Sequence, residues 1–275
     1  MLFLVFLAAI CHAIWNAIIK KSQDPLKNIA LMQLMMGSLF LPLIFFIPMP
    51  NKEAWLFLFI SVVIHTAYFT LLGLAYRKGA LSIIYPVARG LAPLIIFILT
   101  VLFLDQHISF FGGLGIILIT GGIIFNSFKN FDKNFFQSGL AIAFLVSLSV
   151  VGYSIADGIG SRVSNNPIHY IVWLFALDGW IFLLLMQITY GWFWNHFTKK
   201  DILEIGFGSL IAILGYGIVI YTMAYISFAY VSAIRETSVI LAALIGIFYL
   251  KESGKFFRII SAIIVFIGIY FIYQN

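Results

Sequence analysis

The chain reads as an all-α integral membrane protein of ten transmembrane helices, arranged as two inverted five-helix repeats. Three observations predict this. Hydrophobic residues make up 63% of the chain and charged residues only 9%. Apolar runs of spanning length follow one another from end to end. Residues of the first half recur in the second at a nearly constant offset. A soluble domain wets its surface with about 25% charged residues, so hydrocarbon rather than water is the solvent here.

A spanning helix needs about 20 mainly apolar residues. Ten runs qualify: 2–20, 28–48, 54–76, 80–104, 109–126, 136–161, 167–189, 201–225, 230–250 and 255–273. The first run begins without the basic segment of a signal peptide and is read as a span. Turn and polar signals separate the runs: Ser22-Gln23-Asp24-Pro25, Pro48-Met49-Pro50-Asn51, Arg77-Lys78-Gly79, Asp105-Gln106-His107, Lys129 to Lys133, Asn165-Asn166-Pro167 and Lys199-Lys200-Asp201. The break at Tyr225–Ala229 carries no charge and rests on run length. No soluble domain fits between the runs.

The net charge of +6 belongs to topology and not to nucleic acid, because the basic residues cluster between spans. Odd-numbered loops hold Lys20, Lys21, Lys27, Arg77, Lys78, Lys129, Lys133, Lys199, Lys200, Lys251, Lys255 and Arg258. Even-numbered loops hold Lys52 and Arg162. The positive-inside rule then places the odd loops in the cytoplasm and both termini outside. A single cysteine, Cys11, excludes an internal disulfide, and no Cys/His metal spacing is present.

The halves match in several places. Ala75-Tyr76 and Ala224-Tyr225 precede the fourth and ninth spans, and Arg89 and Arg235 sit at equal depth within them. Asp105 and Glu252 follow them, and Gly121-Gly122-Ile123-Ile124-Phe125 resembles Ile267-Gly268-Ile269-Tyr270-Phe271. Five spans per half is an odd number, so the halves, 1–126 and 136–275, enter the membrane in opposite senses. Inverted repeats are a recurrent transporter architecture with the site near the midplane.

Polar groups inside spans are costly and usually face a bundle interior or wet cavity. Span one carries His12, Trp15 and Asn16, and span three carries His65 and Tyr68. Span four carries Tyr85, Pro86 and Arg89; span six, Tyr153 and Asp157; span seven, Asp178. Span eight carries Tyr216 and Tyr221, and span nine carries Arg235, Glu236, Thr237 and Ser238. Several pairs lie three or four apart and share a helix face. The functional reading is a polar, aromatic-walled cavity between the halves. There Arg89 or Arg235 holds a carboxylate or phosphate, and Asp157 or Glu236 binds an ammonium or a coupling proton. The structural reading pairs Arg89 with Glu236, locking span four to span nine. It bonds Asp178 within its own half, treats His65 as a satisfied core group, gives Asn16 to a neighbouring helix and turns Trp15 to lipid. Glycines 112, 113, 115, 121 and 122 serve close helix contact.

These motifs resemble the drug/metabolite transporter superfamily, specifically its EamA-type ten-helix members. The resemblance spans the chain and rests on His12-Ala13-Ile14-Trp15-Asn16 with Lys20, Ser82 to Leu94 around Tyr85-Pro86 and Arg89, Val151 to Gly158, and Arg235 to Val239. It implies a monomer-competent secondary transporter, without cofactor, whose cavity is lined by the first, third and fourth helices of each repeat. It also implies amino acids, small metabolites or nucleotide sugars as cargo and the bacterial inner membrane as location. Leu104-Asp105-Gln106-His107 departs from the Leu-Gly-Glu-Arg-like ending of the fourth helix. The charge count also departs from the cytoplasmic termini usual in relatives.

The residues and the resemblance together predict alternating-access transport of a small polar or zwitterionic metabolite, amino-acid-like or an organic anion. The expected substrate-binding residues are His12, Trp15, Asn16, His65, Tyr68, Tyr85, Arg89, Tyr153, Asp157, Tyr216, Arg235, Glu236 and Ser238. Asp157 and Glu236 are the candidates for coupling to protons. The alternatives are an intramembrane enzyme, for which no catalytic spacing is present, and a non-transporting receptor or scaffold, which the internal repeat disfavours.

Overall fold

A computed structural model of the chain describes residues 1–20, 24–77, 81–127, 140–192, 197–248 and 255–274. Side chains are described for all of these except 20, 76, 77, 81–87, 127, 245–248 and 255. Every regular element among them is helical. In order they are α1 (Leu2–Lys20), α2 (Pro25–Phe40, continued by a 3-10 turn, Leu41–Phe45), α3 (Lys52–Arg77), α4 (Leu81–Phe103), α5 (Phe110–Ser127) and α6 (Leu140–Val163). There follow α7 (Pro167–Tyr190), α8 (Lys199–Met223), α9 (Phe228–Glu236), α10 (Ser238–Phe248) and α11 (Lys255–Tyr273). Seven stretches are long and apolar enough to cross a bilayer: α1, α2 with its 3-10 turn, α3, α6, α7, α8 and α11. Ala88–Phe103 of α4 and Phe110–Asn126 of α5 are shorter apolar stretches. The chain is an integral membrane protein.

Local chemistry sets the helix starts. Pro25 and Pro167 occupy first-turn positions, where the absent N–H breaks no helical bond. Asp24 accepts from the Lys27 amide and Asn166 from the Ile168 amide. Thr198 and Asp201 form a reciprocal capping box. These caps start α2 and α8 a few residues before the apolar runs begin.

Two spans depart from continuous helices. Pro42 lies in the 3-10 turn that ends α2, because proline cannot extend the α-helical ladder. The run 230–250 is divided at Thr237. There Thr237 donates both its amide (3.1 Å) and its hydroxyl (2.6 Å) to the Ile234 carbonyl. The uncharged break between α8 and α9 is present as a turn over residues 224–227.

The main helix pairings are kept when the two halves are exchanged. Helix α3 packs on α6 as α8 packs on α1, while α2 packs on α7, α4 on α9 and α5 on α11. Equivalent helices that touch one another lie on the exchange axis. Two of these contacts are made by glycine. A Cβ on Gly115 would stand 2.6 Å from the Gly268 carbonyl, and one on Gly268 would stand 2.7 Å from the Gly115 carbonyl. A Cβ on Gly179 would stand 2.7 Å from the Gly37 Cα. Gly121 has open space instead, so it is not a contact glycine.

The even-numbered loops are tied together. Asn51 donates to the Val163 carbonyl at 2.5 Å, and Trp173 donates to the Pro48 carbonyl at 3.3 Å. Arg162 donates to the Met223 and Ile226 carbonyls at 2.9 and 2.7 Å and lies 4.2 Å from the centre of the Phe228 ring. The Gln106 side-chain oxygen accepts the Phe228 amide at 3.1 Å.

Candidate functional site

Two buried polar clusters meet inside the bundle. The first joins α4 to α9. Arg89 faces Glu236 as a fork, Nε 3.0 Å from Oε2 and Nη1 donating to Oε1 at 3.0 Å. Arg235 binds the same carboxylate, Nε donating to Oε1 at 2.9 Å, and its Nη1 donates to Ser154 Oγ on α6 at 3.2 Å. All three charged groups are at most 1% exposed. The pairing foreseen for Arg89 and Glu236 is present, with a second arginine added.

The second cluster joins α2, α3, α6, α7 and α8. His65 Nδ1 lies 3.4 Å from Asp178 Oδ2, and its Nε2 lies 3.9 Å from Asp157 Oδ2. Asp157 accepts hydrogen bonds from Tyr170 (3.0 Å) and, closely, from Tyr216. Asp178 Oδ2 accepts from Gln33 Nε2 at 3.1 Å. Asp178 is therefore bonded across the halves and not within its own. The close approach of α2 to α7 at Gly37 and Gly179 brings Gln33 and Asp178 together.

Between the clusters lies a cavity of about 50 Å³. Its wall includes His12 and Trp15 of α1, His65 and Tyr68 of α3, Arg89 of α4, Tyr153 of α6 and Tyr216 of α8. Met32, Gln33 and Met36 of α2, Phe69 of α3, Phe175 and Asp178 of α7 and Ala212 of α8 complete it. The ring centres of His65 and Tyr153 are 4.3 Å apart, and those of Tyr153 and Tyr216 5.7 Å. The wall is aromatic and includes one basic and one acidic residue, Arg89 and Asp178.

Seven expected residues thus line one cavity. Asp157 stands behind the wall, on Tyr216 and near His65. Arg235 and Glu236 stand behind Arg89. Asn16 turns back onto its own helix, donating to the His12 carbonyl at 2.7 Å. Ser238 is buried at the start of α10 without lining the cavity. The side chain of Tyr85 lies outside the described residues. Trp15 is buried, not lipid-facing, and donates to His12 Nδ1 at 2.9 Å.

Sequence reasoning missed the contribution of α2 and the full part of α7. Gln33 sits among Leu31, Met32, Leu34 and Met35, an apolar setting in which a lone amide was the available signal. Met32, Met36 and Phe175 gave none. Among the described residues no group of three or more His, Cys, Asp or Glu is placed to hold a metal ion.

The pattern of the EamA-like transporter family matches residues 1–128 and again residues 137–274. The chain belongs to the EamA-like transporter family. Its place among drug/metabolite transporters follows from that match, which covers nearly the whole chain. No curated protein sequence matches it. Several solved structures match the chain, among them one described only as the crystal structure of a protein, with a TM-score of 0.78. It does so over 99% of this chain and 96% of its own, at 13% identity. At that identity the likeness concerns the fold alone.

Proposed function

We propose that the chain is a secondary active transporter carrying a small polar or zwitterionic metabolite by alternating access. Membership of a transporter family supports transport. The observation that supports the substrate class is a cavity wall holding both a basic and an acidic residue, with Arg89 on one helix and Asp178 on another. Ionised groups are expensive inside a bilayer and mark substrate or ion pathways.

In this reading α2 with its 3-10 turn is one span, and α9 with α10 is another. The helices then make ten spans in two inverted repeats, 1–126 and 136–275. The exchange symmetry of the packing supports it, and so does the α9–α10 break beside Arg235 and Glu236. Broken helices at the midplane are a feature of repeat-built transporters. One repeat rocks against the other across the α2–α7, α4–α9 and α5–α11 contacts. The protein sits in a bacterial inner membrane with its odd loops in the cytoplasm.

Asp157 is the coupling group of this scheme and Glu236 is not, since Glu236 is engaged by two arginines. The groups around Asp157 are His65 of α3, Tyr170 and Asp178 of α7, and Tyr216 of α8. Arg235 of α9 acts on it through the field, and Ser61 of α3 through a hydrogen bond. The test is flux into proteoliposomes with and without a proton gradient. A gradient should drive accumulation in the wild type, and Asp157→Asn should leave only downhill movement. Accumulation that persists in Asp157→Asn removes that residue from coupling. Absence of any flux for compounds that bind removes the transport reading.

A further inference from the structure

Two buried polar atoms in the cavity wall have no hydrogen-bond partner among the described residues: His12 Nε2 and Asp178 Oδ1. Their residues are 5% and 2% exposed. Buried polar atoms in native proteins are almost always paired, so an orphaned pair on two residues that line one cavity points to what the cavity is built to receive.

The sense of the hydrogen bond at His12 follows from heavy-atom geometry. An indole N–H can only donate. Trp15 Nε1 lies 2.9 Å from His12 Nδ1, so Nδ1 must be an acceptor carrying no proton. That excludes the imidazolium and places the proton of the neutral ring on Nε2. The orphan is therefore an N–H donor, locked in that sense by its neighbour three residues on. The ring is also held at its edge by Tyr216, 6.4 Å between centres. At the other pole, Asp178 has one oxygen engaged by Gln33 and His65. The second oxygen has no partner among the described residues.

We infer that His12 and Asp178 are the two recognition poles of the ligand site. His12 Nε2–H binds an acceptor oxygen of the ligand, and Asp178 Oδ1 binds a cationic donor such as an ammonium. This rests on the transport reading and narrows it. A molecule bearing both an ammonium and a nearby acceptor oxygen satisfies both atoms, and an organic anion satisfies one. Trp15 acts through His12 as a positioning residue: it sets the tautomer without needing to touch the ligand. The cavity, about 50 Å³, is large enough to admit water-sized polar groups.

The experiment uses the purified full-length chain. Nitrogen-15 NMR of histidine-labelled protein should report His12 as the Nε2–H tautomer, and Trp15→Phe should yield a mixture of tautomers. A predominant Nδ1–H form in the wild type overturns the inference. Binding is read by thermal shift with L-alanine and L-leucine. Their one-pole analogues, ethylamine with propionate and isoamylamine with isocaproate, are run beside them. The amino acids should stabilise most. H12Q keeps an N–H close to the position of Nε2 and should retain binding, whereas H12N should weaken it roughly ten- to a hundredfold. D178N should lose the preference for the ammonium-bearing compounds. Equal shifts from the carboxylates alone, no shift from either amino acid, or equal affinity in H12Q and H12N with wild-type melting temperatures overturns the assignment. Flux separates the two levels. Binding with these preferences but no movement into liposomes defeats transport and leaves the poles standing. Movement with an unchanged KM in H12N does the reverse.

Discussion

Glu236 is a single carboxylate between two guanidinium groups, all of them buried. Removing one partner of a buried ion pair costs about 3–5 kcal/mol, because the remaining charge is left unpaired. Glu236→Gln removes the one carboxylate charge that Arg89 and Arg235 share. It should lower the thermal midpoint in detergent more than Asn16→Ala, which removes only a bond to the helix's own backbone. Arg89→Lys is not a conservative change, since the ammonium cannot reproduce the fork that Nε and Nη1 make on the two oxygens. It should destabilise the chain by more than about 1 kcal/mol. A melting curve that overlays the wild type would show that the fork does not hold α4 to α9. Asp178 lies among residues whose sequence neighbours are apolar. Only the crossing of α7 with α2 decides that its partner is Gln33.

Among the helices, the closest approaches are made where a side chain is missing. Gly179→Val must push into Gly37 and the α2 backbone, and overpacking of this kind costs typically about 1–3 kcal/mol. It should also weaken ligand binding, because Gln33 and Asp178 lie beside that crossing. Gly121→Ala is the matched control. Its Cβ meets nothing within 4 Å, and replacing a mid-helix glycine gains about 0.5–1 kcal/mol. Thermal unfolding of the two variants in one detergent distinguishes a contact glycine from a neutral one. The even-loop ties are a further element-scale feature. Arg162 joins the end of α6 to the α8–α9 turn by two carbonyl bonds and the Phe228 ring. Arg162→Ala should speed thiol labelling of a cysteine placed at Ser227 in a chain lacking Cys11. Unchanged labelling would mean that this arginine does not hold the turn closed.

For the molecule as a whole, orientation is the property that charge distribution predicts most directly. A tag on either terminus should be reached from outside in intact cells. Reaction only after permeabilisation would place the termini in the cytoplasm. Membrane embedding and, among the described residues, helix as the sole element type and the positions of the breaks at 48–51, 105–107, 165–166 and 224–227 were legible in the chain, because each depends on local composition. Hydrocarbon demands apolar runs with self-satisfied backbones, and Asp24-Pro25, Asn166-Pro167 and Thr198 to Asp201 are caps written in adjacent residues. The offset between Arg89 and Arg235 was legible for the same reason, as a comparison of one stretch with another. The polar residues themselves stood out because charge is rare in such runs. Their partners did not. That Glu236 serves two arginines, that Trp15 is buried rather than lipid-facing, and that α2 and α7 supply a wall through Gln33, Met36, Phe175 and Asp178 depend on which helix crosses which. Those crossings follow from glycine contacts and side-chain packing between residues about 140 or more positions apart. The sequence alone thus determined that a polar site lies inside a helical membrane bundle. Only the tertiary structure decided which residues line the cavity and which of their polar atoms are left without a partner, because a buried group's surroundings are a matter of position in space and not of order along the chain alone.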